Sequence, residues 1–212
     1  MPIQLSRASR LLFIGDSITD CGWRQDQTEQ IGNGYVRLIR DWLLAKSPAD
    51  APQVINRGIS GNKIPDLVKR WDRDVIELSP DVVSVCIGIN DVWHGLPPRN
   101  AGCSIQDFVA GYSEILSRTR RALPAARLVL CEPSALRLPE PPDADARMEP
   151  YADAVRRIGK EFTADAVVPL RAVFAGAYHA RPEIAWTTDG VHPTSTGHAL
   201  IARAWLQATG NT

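Results

Sequence analysis

The stretch LLFIGDSITD, residues 11–20, joins an apolar run directly to a turn. Its first four residues carry no charge, which predicts a buried strand. The following Gly15-Asp16-Ser17 is a turn-forming cluster that would end the strand. A serine at such a junction is held by rigid backbone on one side and faces a loop on the other. Ser17 is therefore a candidate nucleophile, if the chain elsewhere supplies a base and an oxyanion site.

Four more strands are predicted downstream, alternating with helices. The predicted strands cover residues 53–56, 82–87, 127–131 and 166–168. Apolar residues at helical spacing predict helices at residues 35–43, 65–78, 105–119, 151–162, about 171–179 and about 195–208. Strands that are apolar throughout indicate a parallel sheet covered on both faces. The prediction is a three-layer α/β/α, doubly wound fold with right-handed crossovers.

Length and charge limit the classes of function. The 212 residues suit one α/β domain covering residues 1–212. The 24 lysine and arginine residues balance 24 acidic residues, so no net field would attract nucleic acid or an anionic membrane. We therefore expect neither as a partner.

The N-terminal segment and the cysteines bear on the compartment. Residues 1–10 precede an apolar run too short for a signal peptide, and no stretch reaches the length of a membrane span. We therefore expect a cytoplasmic location. The cysteines show neither a CxxC motif nor metal-ligand spacing, which predicts buried free thiols. They are Cys21, Cys86, Cys103 and Cys131.

Reactive residues follow several of the predicted strands. Ser17, Gly61 and Asn90 come after the first, second and third strands, and the last long loop carries Asp189 and His192. In doubly wound folds, ligands bind beyond the carboxyl ends of the strands. We therefore expect these five residues to converge at one edge of the sheet.

His192 has the best setting for a general base. Asp189, three residues earlier, could accept a hydrogen bond from one ring nitrogen while the other nitrogen faces Ser17. The alternative is that this segment only forms a turn and a helix start. An oxyanion hole could use the backbone N–H groups of Ser17 and Gly61 and the side-chain amide of Asn90. For the last two, a tight turn and a helix cap are the structural alternatives.

Asp16, Trp93 and Trp186 are further candidates for substrate contact near this edge. Asp16 could also orient a base, although a hydrogen bond within the turn is the more common role of such a residue. The two tryptophans could stack on a sugar ring or pack in the core.

The remaining histidines are expected outside the site. His94 follows Asn90 by one helical turn and could line the same cleft, although it is predicted to face solvent. His179 and His198 fit helix surfaces. A metal site from Asp189, His192 and His198 lacks a convincing further ligand, so no metal is predicted.

Four segments together resemble the blocks of the SGNH (GDSL) hydrolases. They are Ile14–Ser17, Asn56–Asn62, Gly88–Asp91 and Asp189–Pro193. The resemblance covers roughly residues 11–205. It implies a flavodoxin-like strand order of 2-1-3-4-5 and no cofactor.

The resemblance also implies roles for five residues. Ser17 would be the nucleophile, and Asp189 and His192 would complete the triad. The oxyanion hole would use Gly61 and Asn90. Residues 11–22, 56–62 and 87–93 are most similar to bacterial intracellular acetylxylan esterases, which implies a serine esterase that removes acetyl groups from oligosaccharides.

Two alternatives remain open at this point. A lysophospholipase or thioesterase of the same fold would need an apolar groove, which the loop around Leu136 and Leu138 could form. A non-catalytic binding protein on this fold is the second. The expected partner is a small ester, and exposed aromatic residues could form a homo-oligomer interface. The loop at residues 134–149 is long enough for a functional excursion or local disorder, and its role is left open.

Overall fold

Five parallel strands form the central sheet, in the order β2-β1-β3-β4-β5. The computed structural model describes residues 2–134, 137–138 and 140–212. The strands are β1 Arg10–Gly15, β2 Gln53–Gly58, β3 Val82–Cys86, β4 Arg127–Cys131 and β5 Ala166–Val168. The order confirms the predicted arrangement 2-1-3-4-5.

Helices cover both faces of the sheet. They are α1 Ser17–Asp20, α2 Tyr35–Lys46, α3 Ile64–Trp71, α4 Ile89–Trp93, α5 Ile105–Ala122, α6 Glu149–Glu161, α7 Leu170–Ala180 and α8 Ser195–Thr209. A π-helical turn, Asp72–Ile76, extends α3, and a 3-10 turn, Ala146–Met148, precedes α6. The six predicted helices are present. The sequence did not predict α1, α4 or the π-helical turn.

The protein has two hydrophobic cores, one on each face of the sheet. Successive residues of a strand point to opposite faces, so each strand contributes to both cores. Leu11 and Phe13 of β1 belong to the core beneath α2, α7 and α8. Leu12 and Ile14 belong to the core beneath α3, α5 and α6. All four are fully buried, which explains why this strand is apolar at every position.

The cysteines agree in part with the prediction of buried free thiols. All four thiols are free; three are buried, whereas Cys21 is only half-buried. Within the described part of the chain, no helix combines the length and the apolar composition needed to cross a bilayer.

The register brings the loops after the first three strands together. Gly15 of β1 is paired with Gly58 of β2 on one side and with Cys86 of β3 on the other. The strands run parallel, so the loops that follow these residues leave the sheet at the same edge. This edge carries the candidate site.

Candidate active site

Ser17 is the first residue of α1, immediately after the turn that ends β1. Asp16 caps this short helix: its Oδ1 accepts a hydrogen bond of 3.0 Å from the N–H of Ile18. Cys21 ends the helix in the left-handed conformation, with φ of 41°. Within the described chain, the N–H of Ser17 donates to no protein acceptor. The turn thus fixes the hydroxyl and leaves the amide available to a ligand.

Ser17, His192 and Asp189 form one series of hydrogen bonds. The Oγ of Ser17 lies 3.0 Å from Nε2 of His192. Nδ1 of His192 lies 2.7 Å from Oδ2 of Asp189. A carboxylate can only accept, so Nδ1 carries the proton and Nε2 is left to accept from the serine hydroxyl. This is the arrangement in which an imidazole can act as general base toward Ser17.

Asp189 is fixed by its own turn. Its Oδ1 accepts hydrogen bonds from the N–H groups of Val191, at 3.0 Å, and His192, at 2.8 Å. Partial burial alone would raise the pKa of Asp189, but hydrogen bonds from the backbone and ring of His192 and from Val191 outweigh it and lower the pKa. The carboxylate is therefore charged at neutral pH, as stabilisation of an imidazolium requires.

The segment following β4 supports the turn that carries Asp189 and His192, which we call the acid–base turn. The N–H of Arg137 donates to the carbonyl of Gly190 at 2.8 Å. Gly190 has a φ of +83°, and a Cβ at this position would lie 2.2 Å from the carbonyl oxygen of Arg137. The approach is possible because glycine has no side chain. Arg137, in the loop whose role the sequence left open, thus contacts the turn that carries Asp189 and His192.

Asn90 and Gly61 lie on adjoining loops. Asn90 is buried in the first turn of α4, and its Nδ2 donates to the carbonyl of Asn62 at 3.0 Å. An amide nitrogen carries two hydrogens, so one remains for a ligand. Gly61 has a φ of +80°, and its N–H donates to no acceptor in the described residues. The hydrogen bond to Asn62 therefore places two candidate oxyanion donors on loops that are tied together.

Asp91, next to Asn90, strengthens the same connection. Its Oδ1 accepts from the N–H of Ile64 at 3.1 Å, at the start of α3. Burial raises the pKa of Asp91 to about 6. No pattern in the sequence predicts this contact.

Asp16 lies below the surface of the site. Its side chain is buried, and its hydrogen bond to Ile18 is the turn contact that the sequence favoured over an orienting role. Burial raises the pKa of Asp16 to about 7, with the negative charge of Asp91 adding to the effect. Nothing in this geometry exposes the carboxyl to a substrate.

The two candidate tryptophans have different surroundings. The Trp93 ring packs edge-on against the His192 ring, with centroids 5.8 Å apart and planes at 82°. The guanidinium of Arg99 covers the Trp93 ring at 4.4 Å. Trp186 packs half-buried against the core, and its indole N–H donates to the carbonyl of Arg181 at 3.2 Å. The structure thus brings Trp93, but not Trp186, into ring contact with His192.

The prediction that His198 lies on a helix surface is wrong. It is buried in α8, where Nδ1 accepts from the N–H of Tyr35 at 3.2 Å. Its Nε2 lies 3.4 Å from Sγ of Cys21. Burial, with a smaller contribution from the neighbouring His192, lowers the pKa of His198 to about 4. The imidazole is therefore neutral and supports the segment behind Ser17.

The other two histidines lie outside the series of hydrogen bonds from Ser17 to Asp189. His179 is exposed on α7, and His94 is half-buried beside Trp93, with ring centroids 5.4 Å apart. The ring of His198 contacts Tyr35 of α2 and Cys21, so its two nitrogens are directed at these partners and not at a metal shared with Asp189. Among the described residues, no three His, Cys, Asp or Glu side chains cluster as metal ligands do.

Arg70 is a buried charge that no sequence pattern predicted. Its guanidinium donates to the carbonyls of Gly15, at 3.0 Å, and Arg57, at 2.8 Å, and to Oδ1 of Asn62, at 2.8 Å. It also pairs with Asp74 at 2.8 Å. In the sequence, Arg70 and Asp74 have the spacing of an ordinary surface pair on a helix, so nothing marks this role.

Comparisons with known proteins agree on one family of hydrolases. The model of the GDSL-like lipase/acylhydrolase family matches residues 13–200. An acetylxylan esterase from Geobacillus stearothermophilus is 34% identical, over 98% of this chain and 97% of the relative.

Solved structures give the same result. The structure of Axe2, an acetylxylan esterase from Geobacillus stearothermophilus, superposes with a TM-score of 0.88 at 32% identity, covering 98% of this chain and 97% of that chain. LAE5, an α/β hydrolase from the metagenome of Lake Arreo, gives a TM-score of 0.87 at 31% identity, covering 97% of both chains.

Proposed function

Since this chain belongs to the GDSL-like lipase/acylhydrolase family and is a carboxylic ester hydrolase, we propose that it is a serine esterase that releases acetate from O-acetylated oligosaccharides. The observation that carries the serine mechanism is the hydrogen-bonded series from Ser17 through His192 to Asp189. The similarity to an acetylxylan esterase supports xylo-oligosaccharides as the sugar component.

In the first half of the reaction, Nε2 of His192 takes the proton of Ser17 as Oγ attacks the acetyl carbonyl carbon. The charged Asp189 stabilises the imidazolium that forms. The N–H groups of Ser17 and Gly61 and the amide of Asn90 are the proposed donors to the oxyanion. Removing one such donor typically costs about 2.7–4 kcal/mol of transition-state stabilisation.

The first half ends when the imidazolium of His192 protonates the sugar oxygen, the bond between that oxygen and the carbonyl carbon breaks, and acetyl-Ser17 remains. The second half regenerates the enzyme. Water then attacks this ester, His192 takes its proton, and acetate leaves as the proton returns to Ser17. The His192 side chain is 38% exposed, so water can reach the acyl-enzyme.

Substitution of the nucleophile tests the mechanism. We expect Ser17→Ala to reduce hydrolysis of 4-nitrophenyl acetate by at least about 10⁴-fold, because no other group can form the acyl-enzyme. Circular dichroism should show an intact fold. Ser195→Ala, at an exposed serine on α8, is the matched control and should keep wild-type activity. Substantial activity in Ser17→Ala would contradict the proposed nucleophile.

The substrate is tested separately. We expect acetate release from acetylated xylo-oligosaccharides and, in a series of nitrophenyl esters, an optimum at acetyl. An optimum at octanoyl or longer would favour the long-chain alternative. The groove suggested for that alternative depends on Leu136, which lies outside the described residues, and Leu138, which packs half-buried against the core. Cytoplasmic location, a single domain over residues 1–212 and a homo-oligomer stay predictions.

A further inference from the structure

Two cavities lie near the candidate site. One, of about 390 Å³, is lined by Asp91 and Val92 among others. The other, of about 340 Å³, lies beside the loop that carries Gly61. We call this second cavity the arginine pocket. The residues of its lining that matter here are Trp23, Arg24, Arg57, Arg70, Arg73 and Asp74.

The arginine pocket has more positive than negative charge. Asp74 pairs with both Arg70 and Arg73, at 2.8 Å in each case. The guanidinium of Arg24 lies 3.6 Å from Asp20. Arg57 donates only to the carbonyl of Asn56, and no carboxylate of the described chain forms an ion pair with it. Four arginines thus face two carboxylates, and the Arg57 guanidinium has no acidic partner among the described residues.

Trp23 holds two of these arginines in place. The guanidinium carbons of Arg24 and Arg57 lie 4.9 Å and 5.2 Å from the centre of its ring. The ring itself is fixed, because its indole N–H donates to the carbonyl of Gly58 at 2.7 Å. Stacking on an aromatic face leaves the N–H edges of a guanidinium free to bind an anion. The two arginines are therefore partly preorganised for an anionic ligand.

The arginine pocket is connected to the proposed catalytic residues through the backbone. Ile59, which also lines it, donates its N–H to the carbonyl of Gly15 at 3.0 Å. Ser17 lies two positions after Gly15, and Gly61 lies two positions after Ile59. Two residues of extended chain span at most about 7 Å. If the acetyl group of an oligosaccharide is bound at Ser17, a neighbouring sugar unit can therefore reach the arginine pocket.

We propose that the arginine pocket binds a carboxylate carried by the substrate, namely that of a uronic acid unit close to the acetylated sugar. A planar guanidinium binds a carboxylate through two parallel hydrogen bonds, which suits Arg57. This inference rests on the proposed function and narrows its substrate class to acidic acetylated oligosaccharides.

The test compares two acetylated xylo-oligosaccharides of equal length, one with and one without a uronic acid substituent. We expect the wild-type protein to have a kcat/KM on the order of tenfold higher for the acidic one, mainly through KM, because hydrogen bonds to charged groups are strong. Raising the salt concentration should reduce this ratio. Arg57→Gln and, separately, Arg24→Gln should bring the ratio toward one. Arg121→Gln, at an exposed arginine on α5, should keep it.

Equal rates for the two oligosaccharides in the wild-type protein would overturn this inference and leave the proposed function standing. Equal rates together with inhibition by inorganic phosphate would instead identify a phosphate site. Cleavage of 4-nitrophenyl acetate without cleavage of either oligosaccharide would contradict the proposed sugar substrate and, with it, this inference. A wild-type ratio that persists in both arginine variants would assign the preference to another part of the surface.

Discussion

His198 is neutral in the folded protein because burial lowers its pKa to about 4, whereas the ordinary value is 6.5. Between these values the unfolded chain binds a proton that the folded protein excludes. The free energy of unfolding therefore falls as the pH drops from 6.5 toward 4. Asp16 acts in the opposite sense. Burial raises its pKa to about 7 from 3.8, so its contribution to stability falls as the pH rises through that interval.

His198→Gln separates the two contributions, because an amide does not titrate. We expect the wild-type protein to lose about 2 kcal/mol from His198 between pH 7 and pH 5, and the variant to lack this loss. Urea unfolding of both proteins at the two pH values measures the difference. His179→Gln changes an exposed histidine and should leave the pH dependence as in wild type. An identical pH dependence in wild type and His198→Gln would contradict a buried neutral imidazole.

Trp93 supports the orientation of His192 through its edge-on ring contact. Aromatic pairs of this geometry contribute about 0.5–1.5 kcal/mol. We expect Trp93→Ala to lower kcat for 4-nitrophenyl acetate roughly two- to tenfold, and Trp93→Phe to lower it less. The small ester is the informative substrate, since a residue that only stacks on sugar would change KM for oligosaccharides and leave this kcat unaffected.

Trp42→Ala is the matched control for this effect. Trp42 is a partly exposed tryptophan on α2, and its indole N–H donates to the carbonyl of Asn211 at 3.0 Å. We expect its replacement to leave kcat unchanged. A normal kcat in Trp93→Ala would show that the ring contact does not position His192.

At the level of elements, the strands were predictable and the short helices were not. Burial on both faces makes a central strand such as β1 apolar at every position, and the sequence shows this directly. The helices α1 and α4 have only four and five residues, too few to show a helical period. The π-helical turn continues the apolar spacing of α3, so the pattern does not distinguish the two.

The same distinction applies to the site. Ser17, Gly61 and Asn90 follow neighbouring strands, and parallel strands end at a common edge, so their grouping could be predicted from topology. The positions of His198 and Arg70 could not. Their burial depends on partners far along the chain, and such pairings leave no local pattern in the sequence.

Gly190 connects Arg137, in the segment after β4, to the turn that carries Asp189 and His192. Its positive φ is unfavourable for alanine, and an added Cβ would lie 2.2 Å from the carbonyl oxygen of Arg137. We expect Gly190→Ala to shift Asp189 and His192 and to lower kcat for 4-nitrophenyl acetate about 10²-fold, because small displacements of catalytic groups have large kinetic effects. The far-ultraviolet circular dichroism should be close to wild type.

Gly176→Ala provides the opposite control. Gly176 lies inside α7, and a Cβ there would contact nothing within 4 Å. Alanine is the better helix former, so this variant should gain about 0.5–1 kcal/mol of stability and keep its activity. Wild-type kcat in Gly190→Ala would show that the loop does not position the acid–base turn.

On the scale of the whole molecule, one guanidinium joins the parts that carry the proposed nucleophile and oxyanion donors. Arg70 belongs to α3, and its acceptors lie at the end of β1, in β2 and in the loop after β2. The side chain is only 8% exposed, and its N–H groups donate to protein acceptors in place of water. Buried carbonyls that lose such a donor cost about 1–3 kcal/mol each. Arg70 thus links the stability of the fold to the geometry of the site.

Arg70→Lys tests this link, because an ammonium group has three donors on a flexible chain and does not reproduce the planar set of contacts. We expect a loss of about 2–4 kcal/mol in the free energy of unfolding, measured in urea, and a lower kcat for 4-nitrophenyl acetate. Arg73→Lys is the matched control: Arg73 pairs with the same Asp74 at 2.8 Å, yet its side chain is 67% exposed. An exposed pair contributes less than about 1 kcal/mol, so this variant should remain close to wild type in stability. Equal losses in the two variants would mean that the ion pair with Asp74, and not the buried contacts to Gly15 and Asn62, accounts for the role of Arg70.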